Sequence, residues 1–377
     1  MLTQTFVKEP LSRSPIFPVR LSRRALLSAG TAWSVATLLA GCGGSSSEED
    51  DVRPETYAEA YRLRLRDTEG VYDDAQIVGV TSGGDLLLTT RRLVYDSDAL
   101  QATASAFRLS RYTNRAQPDL TRREDFLPTR MLPVGGSFGL TALSANGNLY
   151  VSRHLAEPLA GGSGGDEVLI FAPDATQTGS VTPKTIEGLV SIGGAFPYYT
   201  HSVSPSGDFY APISTQLSTY GEQEINITRW NRDGAIVARY KSASRFRFTG
   251  NRVSFLPDGT AVTTGYDSQA EQYGIVRADG QPGLDVPLQR ETERIEHLQT
   301  DAFGNFYCYM FNDETSRATR LTPPFPTPYI CKFSPNGTLL TQISPNRGTG
   351  TPFAVDGDGT IYMIGVDSLL MVYKQTR

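Results

Sequence analysis

A hairpin unit recurs six times along this chain, and that repetition constrains the fold more than any other feature. Its turn and following strand read Gly83-Gly84-Asp85-Leu86-Leu87-Leu88, Asn146-Gly147-Asn148-Leu149-Tyr150-Val151, Ser206-Gly207-Asp208-Phe209-Tyr210-Ala211, Asp258-Gly259-Thr260-Ala261-Val262-Thr263, Phe303-Gly304-Asn305-Phe306-Tyr307-Cys308 and Asp358-Gly359-Thr360-Ile361-Tyr362-Met363. The turn glycines stand 45 to 63 residues apart, too uneven for a solenoid of fixed period but natural where loops vary around a radial array. Five residues before them stand Gly79, Ala142, Ser202, Ser254, Gln299 and Ala354, small in all but one unit. Four residues before stand Val80, Leu143, Val203, Phe255, Thr300 and Val355, apolar in all but one. An innermost strand requires this: one side packs on its neighbour while little volume remains near a shared axis.

Each unit goes on to a second strand and turn, as in Ile227-Thr228-Arg229-Trp230-Asn231-Arg232-Asp233-Gly234, and no sustained helical periodicity follows residue 60. Six four-stranded units predict an all-β fold, a six-bladed β-propeller, which leaves only short sheet edges exposed. The last unit supplies three strands before Arg377. The period-two run Tyr61-Arg62-Leu63-Arg64-Leu65-Arg66 is expected to complete it and close the ring, so the propeller spans residues 61–377. These residues resemble the NHL and SMP-30-like propeller superfamily, whose repeat reads roughly apolar strand, Asp-x-x-Gly-Asn-Leu-Tyr-Val, loop, apolar strand, Asp-x-x-Gly. Ser152-Arg153-His154 replaces the Asp-x-x-Asn-x-Arg continuation of NHL repeats.

The first forty residues are read as an address rather than as fold. Arg13, Arg20, Arg23 and Arg24 precede an uncharged run from Ala25 to Ala40, which is short for a membrane-spanning helix. Leu39-Ala40-Gly41-Cys42 resembles the lipobox of bacterial lipoproteins, which implies cleavage of a signal peptide at 1–41 and acylation of Cys42. Ser22-Arg23-Arg24-Ala25-Leu26-Leu27 resembles a twin-arginine export signal. Residues 42–60, with Gly43-Gly44-Ser45-Ser46-Ser47 and then Glu48-Glu49-Asp50-Asp51, read as a lipidated flexible tether. The expected location is the bacterial cell envelope, on the periplasmic or cell-surface side. By resemblance to Gram-negative lipoproteins, Gly43 favours the outer membrane. The membrane lipid is then a partner through Cys42.

The formal net charge of -5, without a Lys/Arg block, argues against nucleic acid as a partner. Three His and three Cys exclude a rich metal or disulfide framework. Candidate ligand-binding residues come from loops at one channel mouth: Tyr199, His201, Asn251, Arg252, Glu296, Asp267 and Arg153. The SMP-30-like resemblance implies a metal-dependent lactonase, in which oxygen donors hold a divalent cation such as calcium; Glu296, Asn251 and Asp267 are the candidates. His201 or His297 near Glu296 could instead serve as general acid or base. His201 also fits an inner-strand position, while His154 and His297 are expected in solvent-exposed loops. Gly135-Gly136-Ser137-Phe138-Gly139 lacks the strand–turn–helix context of a nucleophile elbow, and Asp356-Gly357-Asp358-Gly359-Thr360 is read as a turn rather than a calcium loop. Cys308 and Cys331 fall on adjacent strands, as a cross-strand disulfide or as two core thiols. The expected role is an envelope module that binds a protein or a small ligand; the alternative is the metal-dependent lactonase or another hydrolase.

Overall fold

The computed structural model describes residues 55–376 apart from 68–69, 72–73, 82–83, 96–101, 114–121, 134–136, 145, 155–165, 175, 183–201, 217–222, 250–251, 292, 313–328, 345–352 and 366–367. The leader, Cys42 and most of the tether lie outside them.

Every described element but one short helical turn near Ser368 is a strand, a turn or a bend. Five sheets have four strands in simple antiparallel order. The first holds β4 (Asp74–Val80), β5 (Leu86–Tyr95), β6 (Ala102–Thr113) and β7 (Arg122–Pro133). The second holds β8 (Ser137–Leu143), β9 (Leu149–His154), β10 (Asp166–Phe171) and β11 (Gln177–Val181); the third holds β12 (Ser202–Val203), β13 (Phe209–Gln216), β14 (Gln223–Trp230) and β15 (Ile236–Tyr240). Next along the chain comes a five-stranded sheet, taken up below. It is followed by β21 (Glu293–Thr300), β22 (Phe306–Asn312), β23 (Tyr329–Phe333) and β24 (Leu339–Ile343). In the last sheet β25 (Ala354–Val355), β26 (Ile361–Gly365) and β27 (Leu369–Gln375) take β1 (Tyr57–Arg64) as their outer strand. A small hairpin, β2 (Arg66–Asp67) with β3 (Gly70–Val71), stands apart.

The expectation of six like four-stranded units is corrected at residues 247–291. That sheet is five-stranded: β16 (Arg247–Phe248) and β17 (Ser254–Phe255) both pair with β18 (Ala261–Asp267), which continues to β19 (Gln272–Arg277) and β20 (Asp285–Glu291). β16 meets β18 at Tyr266 and Gly265, and β17 meets it at Val262 and Ala261, so the innermost strand is broken in two. Phe246, fully buried, packs so closely on Gly265 and Gly274 that a Cβ on either would lie 2.7 Å from it. That wedge holds β16 in place ahead of the break.

Sheet stacks on sheet, and the described apolar core is divided among the interfaces. Leu87 of the first sheet packs with Leu149, Val151 and Phe171 of the second. Tyr150 and Val168 pack with Phe209 and Trp230 of the third, and Ile227 with Phe246, Val253 and Val276 of the split-strand sheet. Ile275 and Leu288 pack with Phe306 and Phe333, and Tyr307 and Ile330 with Ile361 and Met371. The series closes where Leu370 and Val372 of the last sheet meet Ile77, Leu86 and Leu88 of the first. Sheets stacked in a closed ring about one axis define the architecture. The chain folds as a β-propeller.

Closure uses the expected segment. Leu63 pairs with Leu370 and Tyr61 with Val372, and Leu65 is buried in the same cluster. The strand begins at Tyr57 rather than at 61, because Tyr57 already pairs with Gln375 and its hydroxyl donates to the carbonyl of Gly359 at 3.1 Å. Among the described residues no helix is long and apolar enough to cross a membrane.

Candidate functional site

The glycine turns orient the innermost strands. In the fifth unit the Gly304 N–H donates to the Asp301 carbonyl at 3.2 Å, while the Asp301 carboxylate accepts from the N–H groups of Phe303 and Asn305. Asp356 plays the same part before Gly359. Side-chain oxygens that accept backbone N–H groups pre-form a turn without help from distant contacts.

Strands delivered in this way line a central cavity of about 180 Å³. All six residues of the small column, Gly79, Ala142, Ser202, Ser254, Gln299 and Ala354, are on its wall. The sequence pattern therefore marked the lining correctly. Val78, Leu143, Val203, Phe255 and Leu298 add apolar surface, and Arg252 is the one charged residue among the described residues of the lining.

Arg252 and His297 each stand seven residues before their turn glycines, Gly259 and Gly304, and therefore at the same level of adjacent units. Burial pushes the half-buried Arg252 guanidinium down to about 10, so it stays cationic at neutral pH. His297 lies within β21 and is 7% exposed, which corrects the expected solvent-exposed loop position. A register shift between Ile295 and His297 sets its place, and the ring meets Phe353 of the last sheet edge to face at 5.1 Å. The Gln299 amide nitrogen donates to His297 Nε2 at 3.0 Å. Burial first, then the Arg252 charge, lowers the imidazole to about 3, so it is neutral and does not act as an acid near pH 7.

Asp267 does not have the freedom a metal ligand needs. It is 7% exposed, its Oδ1 accepts from the N–H groups of Gln269 and Ala270 at 2.9 and 3.3 Å, and its Oδ2 lies 3.6 Å from Arg245 Nε. The residue caps a turn. Of the three oxygen donors expected for calcium it alone has a described side chain, and that side chain does not fit the ion. Among the described residues no three His, Cys, Asp or Glu side chains converge. Tyr199, His201 and Asn251 lie outside the described residues, as do the side chains of Glu296 and Arg153.

Cys308 and Cys331 are directly opposite in the ladder between β22 and β23. Both are buried thiols rather than a disulfide, and burial raises the Cys308 thiol well above its ordinary range. The disulfide alternative is corrected accordingly. A polar cluster at the ring seam was missed: Lys332, 3% exposed, donates to Glu55 at 2.6 Å, with the Tyr57 and Tyr307 rings 5.8 and 5.5 Å away. Tyr307 in turn donates to Asp301 at 3.0 Å. The pattern Asp-x-x-Gly-x-x-Tyr, shared with Asp356 and Tyr362, was the available signal.

No family model matches this chain, and no curated protein does. Among solved structures it is similar to a protein of unknown function from Bacteroides caccae (TM-score 0.45, 10% identity, covering 78% of this chain and 94% of that one). It is also similar to a gluconolactonase from Xanthomonas campestris (TM-score 0.42, 13% identity, 82% and 99%) and to the WD40 β-propeller domain of Doa1 (TM-score 0.45, 11% identity, 85% and 98%). Scores and identities at this level leave ligand and reaction to be argued from the site itself.

Proposed function

We propose that this chain is a lipid-anchored, extracytoplasmic binding propeller of the bacterial cell envelope that takes a small ligand in its central channel. The ring is read as six-bladed, with the split-strand sheet counted as one blade. Cys42 is the acylation site, reached after twin-arginine export, and the outer membrane is the favoured location. One observation carries the binding reading: the innermost strands keep small side chains along the axis and leave a polar-and-apolar cavity instead of closing it. Cores normally pack to crystal-like density, so a channel kept open at the crowded centre of a propeller calls for an occupant.

The metal-dependent lactonase takes second place because Asp267, its described donor, is held by backbone N–H groups and Arg245. A thermal-shift screen of the purified chain against a panel of small metabolites tests the binding reading. A stabilising hit is expected, and Ala142→Phe, which fills the cavity, should abolish that shift while keeping a cooperative melt. A hit that survives Ala142→Phe would move the site away from the channel and overturn the reading. Metabolic labelling with a palmitate analogue tests the anchor; labelling that persists in Cys42→Ala would refute it.

A further inference from the structure

The packing between the split-strand sheet and the sheet that follows it holds a pair of thiols that the binding reading does not use. Cys308 and Cys331 are directly opposite in the β22–β23 ladder, and both side chains enter one apolar cluster with Val286, Leu288, Phe306 and Phe333. Opposed residues of an antiparallel pair have Cα atoms about 4.5–5.5 Å apart, inside the roughly 4.4–6.8 Å that a disulfide spans. The register that folds this sheet therefore also suits a bond between the two sulfurs. Yet both are thiols with no exposed surface. We infer that the pair is a dithiol gated by folding: a disulfide-bearing oxidoreductase joins Cys308 to Cys331 in the open chain but not in the closed propeller, and the envelope protein keeps both thiols because it folds before export. The export half rests on the twin-arginine reading, since such a signal implies passage in the folded state.

Joining the pair takes two thiol–disulfide exchanges. One thiolate attacks a sulfur of the oxidoreductase disulfide and forms a mixed disulfide. The second thiolate then displaces the oxidoreductase, which leaves as a dithiol carrying the two electrons and the two protons. Each exchange needs a thiolate within reach of a partner sulfur. In the closed ring, burial raises the Cys308 thiol well above its ordinary range, and a second protein's disulfide does not reach a side chain sealed between two sheets. Reaction must then wait for opening, and an unfolded fraction of about 10⁻³ or less slows it by the same factor. Neither restraint acts on a chain threaded unfolded into an oxidising compartment, where exposed thiols pair readily.

The test uses the full chain, purified from envelopes in detergent without reductant, with the Cys308 and Cys331 peptides read by mass after alkylation. Both should be recovered as thiols that react only once guanidine is added. Stoichiometric glutathione disulfide should leave the native pair intact but join it in guanidine, at least about a thousandfold faster. A Cys308–Cys331 disulfide in the native protein, or oxidation of the folded chain at the unfolded rate, would overturn the inference. The same chain behind a general secretory leader, which threads it unfolded, should arrive with the disulfide; thiols recovered there would equally sink the gate. Arg23→Lys with Arg24→Lys separates the two readings. It should stop export, and export that continues with both thiols inert would overturn the export half while the gate stands.

Discussion

His297 carries a proton only with difficulty in the folded chain, and that couples stability to pH. Its folded pKa of about 3 lies below the ordinary imidazole value near 6.5, so the unfolded chain takes up the proton first as pH falls. The contribution is fully present above about pH 6.5 and is lost progressively toward pH 3. The slope is about 1.4 kcal/mol per pH unit, or roughly 2 kcal/mol between pH 6 and 4.5. Carboxylates held low by turn N–H groups, Asp174 and Asp258, and Asp279, lowered by the hydrogen bond from Arg277, remain ionised through that window. Urea unfolding at pH 7 and pH 4.5 should therefore show a loss in the wild type that His297→Gln reduces by about 2 kcal/mol. Equal losses in the two proteins would place the acid sensitivity elsewhere.

The hairpin turns offer a controlled comparison at the scale of the element. Gly259 and Gly337 share one backbone conformation, with φ of +85° and +87°, but differ in surroundings. A Cβ on Gly259 would meet nothing within 4 Å, whereas on Gly337 it would lie 2.3 Å from the Pro287 carbonyl oxygen and 2.9 Å from Val286. Gly259→Ala should cost the left-handed penalty of about 1–2 kcal/mol, and Gly337→Ala roughly 1–3 kcal/mol beyond it. Matched denaturation curves for the two variants check this; indistinguishable midpoints would mean that β20 yields. Such turns were legible in the sequence because their chemistry is local: glycine, Asp or Ser, and the next strand lie within a few residues. The channel lining was legible for the same reason, by counting back from each glycine. The split of the innermost strand was not, since it depends on Phe246 meeting Gly265 and Gly274 across the sheet. His297 was misplaced because its burial depends on a register shift and on Phe353 from the next sheet. The sequence around Tyr199 and Asn251 carries no comparable local rule.

Closure is the property of the whole molecule, and it rests on a few residues of the first strand. Without β1 the hydrophobic ladder edge of β27, Leu369 to Tyr373, would face solvent unpaired, the arrangement that invites edge-to-edge association. Glu55 adds a second tie, because it neutralises the buried Lys332 on the neighbouring sheet. Removing one partner of a buried ion pair strands the other charge, so Glu55→Ala should cost about 2 kcal/mol, reduced from the fully buried case because Glu55 is 23% exposed. Glu55→Ala with Lys332→Met should recover most of that loss, since no charge is then left in an apolar seam. Deleting residues 53–64 goes further and removes both the tie and the ladder. Calorimetry should then show loss of the single cooperative transition, and light scattering should show oligomers where the intact chain is monodisperse. A truncated chain that melts as a monomer at the parental temperature would mean that the ring is held by its sheet-to-sheet packing alone. If instead Glu55→Ala and the truncation weaken the protein in that order, the first strand is the latch of the ring.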